Sequence, residues 1–164
     1  MTEPEPAVPQ PGQAAPPVAL ADRDGTSHRL EEERGRWVVL YFYPKDDTPG
    51  CTTEACGFRD AGSELTERGA VVWGVSPQGA ASKAAFSAKY DLEFPLLIDA
   101  DHRVAEAYGS WVEKQQYGRT YMGVARRTFL IAPDGRIART WDKVRPEGHA
   151  AEVLAAINEA TAGG

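Results

Sequence analysis

Seven consecutive apolar residues, Trp37 to Tyr43, constrain this chain more than any other stretch. Successive side chains of a strand point to opposite faces, so a run that is apolar throughout predicts a central strand covered on both sides. The rest of the chain supplies the covering layers. Ala55, Phe58, Gly62 and Leu65 recur at helical spacing and predict one buried helix face, with Gly69 ending the segment. Val71 to Ser76 reads as a second buried strand and Ala80 to Tyr90 as a second helix. Phe94 to Asp99 contains a short strand, and Val104 to Tyr108 forms a short helix. Asp22 to Gly25 is a turn signal before a strand ending near Leu30. Thr128 to Ala132 and Arg136 to Trp141 flank Pro133-Asp134-Gly135 and predict a β-hairpin; Glu147 to Ala160 is a closing helix. Early crossovers favour parallel strands and the late hairpin is antiparallel, so the pattern predicts an α/β fold with a central mixed β-sheet flanked by helices.

Directly after the apolar run stand the only two cysteines of the 164 residues, Cys51 and Cys56. Cys51 falls at the predicted start of a helix, where free backbone N–H groups and the helix dipole favour a thiolate. A free thiol titrates near ~8.5, so only about 3% is thiolate at neutral pH, and local electrostatics decide its reactivity. A staple across four intervening residues would stabilise little, because the loop it closes is short. A zinc site needs about four ligands, and His28, His102 and His149 stand at no recognisable ligand spacing. The pair therefore reads as redox-active, with no metal and no cofactor. Helix geometry adds a condition. Five residues advance about 7.5 Å and turn about 500°, placing the two Cα atoms about 8.7 Å apart. A disulfide normally needs less than about 7 Å, so the cysteines cannot join while one unbroken helix runs through both.

Pro44-x3-Thr48-x2-Cys51 resembles the active-site pattern of the peroxiredoxins. Thr52 to Asp60 is similar to the subfamily called bacterioferritin comigratory protein, or peroxiredoxin Q. The resemblance continues through Trp111 to Lys114, Gly118 to Tyr121 and Gly123 to Ile131, and covers about residues 18 to 160. It implies a thioredoxin-like fold and a thiol peroxidase that reduces hydrogen peroxide and organic hydroperoxides. Cys51 would be the peroxidatic nucleophile, with Thr48 bonding peroxide or sulfur through its hydroxyl. Pro44 would wall the pocket, and Arg126 would supply charge and N–H donors. Some members carry another cysteine near the Asp99-to-Tyr108 stretch, where this chain has Ala105. The resemblance thus implies a Cys51–Cys56 disulfide, recycled by thioredoxin or a similar dithiol protein, in a monomer. Strand alternation puts Arg126 with Thr128 and Leu130, and Arg127 with Phe129 and Ile131, without saying which face meets Cys51. The family pattern selects Arg126, leaving Arg127 as a surface or second-layer charge. Glu54, in the first turn of the helix, reads as a capping residue. The aromatic residues Tyr41, Tyr43, Trp111 and Trp141 read as core. Two other functions are consistent with a cysteine pair: a thiol–disulfide oxidoreductase, which would normally show Cys-x-x-Cys, and a non-catalytic redox-sensing module.

A net charge of −6 without a basic stripe argues against nucleic acid as a partner. No apolar run approaches the ~18 residues of a membrane span, and the N-terminus lacks the form of a secretory signal, so a cytoplasmic protein is expected. Residues 1 to 17 hold six of the twelve prolines. Their composition predicts a disordered, partly extended tail before a single domain over 18–164.

Overall fold

The computed structural model describes residues 7–162. Its centre is the predicted apolar strand, β3 (Trp37–Phe42), in a five-stranded mixed sheet. β3 runs parallel to β4 (Ala70–Ser76), and β4 runs parallel to β5 (Leu96–Ile98). On its other side β3 pairs antiparallel with β8 (Arg127–Ile131), which pairs antiparallel with the edge strand β9 (Ile137–Trp141). Alternation along β3 divides its side chains between two cores. Val39, Tyr41 and Tyr43 face one core, with Phe58, Leu130, Trp141 and Ile157; Val38, Leu40 and Phe42 face the other, with Trp73, Phe129 and Ile131. A continuous apolar run is the pattern such a two-sided position demands.

The helical layer on the first side comprises α1 (Pro49–Asp60), α2 (Gly62–Glu67), α3 (Ala80–Tyr90) and, packed on α1, α5 (His149–Ala162). α4 (Arg103–Ala107) contributes Val104 and Ala105 to the second core. The predicted face of Ala55, Phe58 and Leu65 is buried, although Ala61 divides the segment into two helices. A small hairpin of β1 (Ala19–Ala21) and β2 (Ser27–Arg29) surrounds the expected turn at Asp22 to Gly25.

A second antiparallel ribbon, β6 (Trp111–Gln116) with β7 (Arg119–Val124), has no counterpart among the sequence-derived elements. Its connection is Tyr117-Gly118, with φ of 53° and 75°. A two-residue hairpin of type I′ needs positive φ at both positions, and Tyr-Gly is not one of the pairs that announce it.

The expected free tail requires correction over the described residues 7–17. Gly12 N–H donates to Ile137 O at 2.8 Å, Ile137 N–H to Gln13 O at 2.9 Å, and Ala15 N–H to Gly135 O at 3.0 Å. Tyr108 Oη donates to the Pro16 carbonyl at 2.6 Å, while Val8 and Ala15 pack against the second core. The prolines lack N–H groups, but an exposed sheet edge needs only a few donors and acceptors, and Gly12, Gln13 and Ala15 provide them. Proline content alone suggests a segment without a core of its own; it does not register an edge strand that borrows it. The part of the expected tail over 1–6 lies outside the described residues.

Candidate active site

The site forms where the loop after β3 turns into α1. Thr48 occupies the cap position with extended backbone, φ −103° and ψ 156°, and Pro49 follows as the first helical residue, where its missing N–H costs nothing. Cys51 is the third residue of the helix and is 1% exposed. Both cysteines are free thiols, Cys56 half-buried one and a half turns further along the same helix.

Arg126 reaches the site from the turn between β7 and β8. Its Nη2 stands 3.3 Å from Cys51 Sγ, and its Nη1 donates to Glu54 Oε1 at 2.8 Å. One guanidinium thus spans two side chains of α1. Gly50 leaves space for it: a β-carbon there would meet Arg126 Nη2 at 3.0 Å. The face of β8 that continues from Arg126 carries Thr128, whose hydroxyl lies 2.8 Å from His149 Nε2, and Leu130. Arg127 is on the opposite face, bonding the Gly109 carbonyl, with its Nε 3.7 Å from Asp142.

Glu54 differs from its expected role. It does not cap the helix; its side chain is buried, it pairs with Arg126, and its Oε2 has no hydrogen-bond partner. Burial pushes its carboxyl up to about 7, against the pull of Arg126. Because α1 starts at Pro49, Glu54 falls in the second turn, not the first, and a carboxyl there looks the same in sequence whether it faces solvent or a buried cation.

The Thr48 hydroxyl donates to the Lys45 carbonyl at 3.0 Å, leaving its lone pairs free to accept. The half-buried Pro44 ends β3, and its carbonyl accepts from Gln78 Nε2 at 3.2 Å. Behind the helix, Phe58 stacks on Tyr41 at 4.9 Å between ring centroids and meets the edge of His149 at 5.8 Å. This packing holds α1 on the sheet. Among the described residues no cluster of His, Cys, Asp and Glu is arranged to hold a metal ion, and no helix is long and apolar enough to cross a membrane.

The arrangement can perform one kind of chemistry well. A sulfur at a helix start, beside a fixed guanidinium and largely shielded from water, can attack an electrophile and have the charge on the departing atom met by directed donors.

The sequence pattern of the AhpC/TSA family matches residues 11–140. The chain is 45% identical over 148 residues to peroxiredoxin Bcp of Bacillus subtilis, covering 90% of this chain and 94% of that protein. It is 42% identical over 148 residues to peroxiredoxin Bcp of Escherichia coli, covering 90% and 95%. Among solved structures, peroxiredoxin Q of Xanthomonas campestris superposes with a TM-score of 0.84 at 38% identity, covering 95% of this chain and 98% of that one. Peroxidoxin BcpB of Mycobacterium tuberculosis gives 0.81 at 34% identity, covering 92% and 97%.

Proposed function

The chain belongs to the AhpC/TSA family, in its Bcp or peroxiredoxin Q branch, and from that premise we propose how its residues divide the work. As a member it is a thioredoxin-dependent peroxidase with a thioredoxin-like fold that reduces peroxides. Cys51 is the nucleophile. Its thiolate attacks one oxygen of the peroxide, the O–O bond breaks, and Cys51 becomes a sulfenic acid while the other oxygen leaves as alkoxide or hydroxide and takes a proton. Arg126 stabilises the thiolate and then the departing oxygen, because its N–H groups are fixed before the reaction begins. Glu54 holds the guanidinium in that orientation. Thr48, whose hydroxyl proton is given to the Lys45 carbonyl, accepts from the bound peroxide, and Pro44 limits water on the loop side.

Cys56 then attacks the sulfenic sulfur, forming the Cys51–Cys56 disulfide and releasing water. A dithiol protein of the thioredoxin type reduces that disulfide by exchange. Hydrogen peroxide and organic hydroperoxides are the substrates, and the protein acts as a cytoplasmic monomer, with residues 7–17 lying as a strap on the domain.

The contact of Arg126 with both Cys51 and Glu54 carries this reading. Its test is Cys51→Ser in an assay of peroxide consumption coupled to thioredoxin and its reductase. Turnover should vanish while the circular dichroism spectrum is retained, because an alcohol cannot replace the thiolate. Substantial turnover in the folded variant would assign the nucleophile elsewhere.

A further inference from the structure

Lys83 is the fourth residue of α3 and is fully buried. A cation is unfavourable there on two counts: the N-terminus of a helix repels positive charge, and burial strips its hydration. Burial pulls its ammonium down to about 8, against the pull of Asp46. Buried ion pairs are seldom a net source of stability compared with apolar side chains of the same volume. The question is therefore what this lysine holds.

It holds the loop that leads to Cys51. Lys83 Nζ stands 3.4 Å from both carboxylate oxygens of Asp46, bonds Ser76 Oγ, and lies 5.4 Å from the centre of the Tyr43 ring. Asp46 also accepts from Tyr43 Oη at 2.5 Å and from Ser82 Oγ at 2.7 Å. Gln78 clamps the same loop through its backbone: Asp46 N–H donates to Gln78 Oε1 at 3.2 Å, and Gln78 Nε2 donates to the Pro44 carbonyl. Asp47, the next residue, has a φ of 59°, which is uncommon outside glycine. Its carboxylate accepts from Lys89 Nζ at 3.0 Å and Tyr90 Oη at 2.9 Å, at the other end of α3. Two consecutive aspartates are thus gripped by the two ends of one helix. The residue they deliver is Thr48, the start of α1.

We propose that the Lys83–Asp46 pair positions the reaction centre: by fixing the Pro44–Asp47 loop to β4 and α3, it sets Thr48 and the first turn of α1 against Arg126. Neither residue touches the sulfur; both act through the loop. The inference rests on Cys51 being the nucleophile and adds to that reading a determinant on the far side of the loop. The pair serves the peroxide step, which requires a fixed first turn, and not the disulfide step, which requires that turn to loosen.

The experiment is stopped-flow oxidation of Lys83→Met and Asp46→Asn by limiting hydrogen peroxide, with acid-quenched mass analysis of the sulfenic acid and the disulfide. Displacing a reacting group by about 1 Å costs up to ~10²-fold in rate, so oxidation of Cys51 should fall by about tenfold or more. Formation of the disulfide should stay within about twofold of the native rate or become faster. A residue that mattered only for stability would lower the melting temperature without separating the two steps. Oxidation at the native rate in either folded variant, or equal slowing of both steps, would overturn the proposal. If Lys83→Met does not fold, Asp46→Asn decides by the same criterion, since it keeps the volume and one of the two acceptor oxygens while removing the charge. Turnover surviving in Cys51→Ser would instead refute the nucleophile assignment, so the two readings fail separately.

Discussion

Arg126 binds Cys51 and Glu54 through different nitrogens of one guanidinium, at 3.3 Å and 2.8 Å, so its orientation toward the sulfur is set by a carboxyl one helical turn away. Arg126→Ala should therefore slow Cys51 oxidation severely. A directed donor in a water-poor site contributes about 3–4 kcal/mol, or roughly 10²–10³ in rate. Arg127→Ala, which loses contacts to Gly109 and Asp142 on the opposite face, should slow it far less. Stopped-flow rates of the two variants rank them, and the reverse order would make Arg127 the reacting cation.

Glu54 makes stability depend on pH in a direction opposite to most carboxylates. Burial raises it from 4.5 to about 7 in the folded protein. Between those values the native state binds more protons than the unfolded chain, so its contribution is full below about pH 4.5 and is lost as pH rises through about 7. The whole effect is at most about 3 kcal/mol. Urea unfolding of native protein and Glu54→Gln at pH 5 and pH 8 isolates it. The native protein should lose stability relative to the variant as pH rises; a relative gain would show that the ion pair with Arg126 outweighs burial.

Deleting residues 1–17 should lower the melting temperature by several degrees. The strap contributes three backbone hydrogen bonds to the β9 edge and its turn, together with the packing of Val8 and Ala15, and its loss leaves Tyr108 Oη without the Pro16 carbonyl. A net hydrogen bond is worth about 1 kcal/mol and an orphaned buried hydroxyl costs about 1–3. Calorimetry checks this, and an unchanged transition would mean that the strap is held too weakly to matter.

Disulfide formation should unwind the first turns of α1. Both cysteines lie within the unbroken helix 49–60, where five residues of separation put the Cα atoms about 8.7 Å apart, beyond the reach of a disulfide. Amide exchange over 51–60 should accordingly be slow in the reduced protein and fast once the bond is verified; equal protection would exclude the motion. The companion result is that Cys56→Ser accumulates sulfinic acid at Cys51 under excess peroxide, because the sulfenic acid has no partner.

The central strand, the helix carrying the cysteines and the phase of Arg126 against Thr128 and Leu130 were legible because each depends on a short local pattern. Arg126 needed the family pattern as well, since alternation alone could not say which arginine met the sulfur. The β6–β7 ribbon escaped because Tyr117-Gly118 is an unusual turn pair, and its strands carry no continuous apolar face. The strap escaped because edge pairing uses backbone groups that every sequence has. Glu54 and Lys83 escaped for a shared reason: both are ionisable residues within the first two turns of a helix, where solvent exposure is the ordinary expectation. Only tertiary structure showed the opposite charges waiting for them at Arg126 and Asp46.

Gly50 ties two distant parts of the chain together. A β-carbon at that position would come within 3.0 Å of Arg126 Nη2. The guanidinium would have to give by a few tenths of an ångström to accommodate it. Position 50 and position 126 are therefore sterically coupled: a side chain at 50 and the guanidinium compete for the same space. A single methyl group, placed by Gly50→Ala, would thus press on the reacting cation without altering any group that takes part in the reaction.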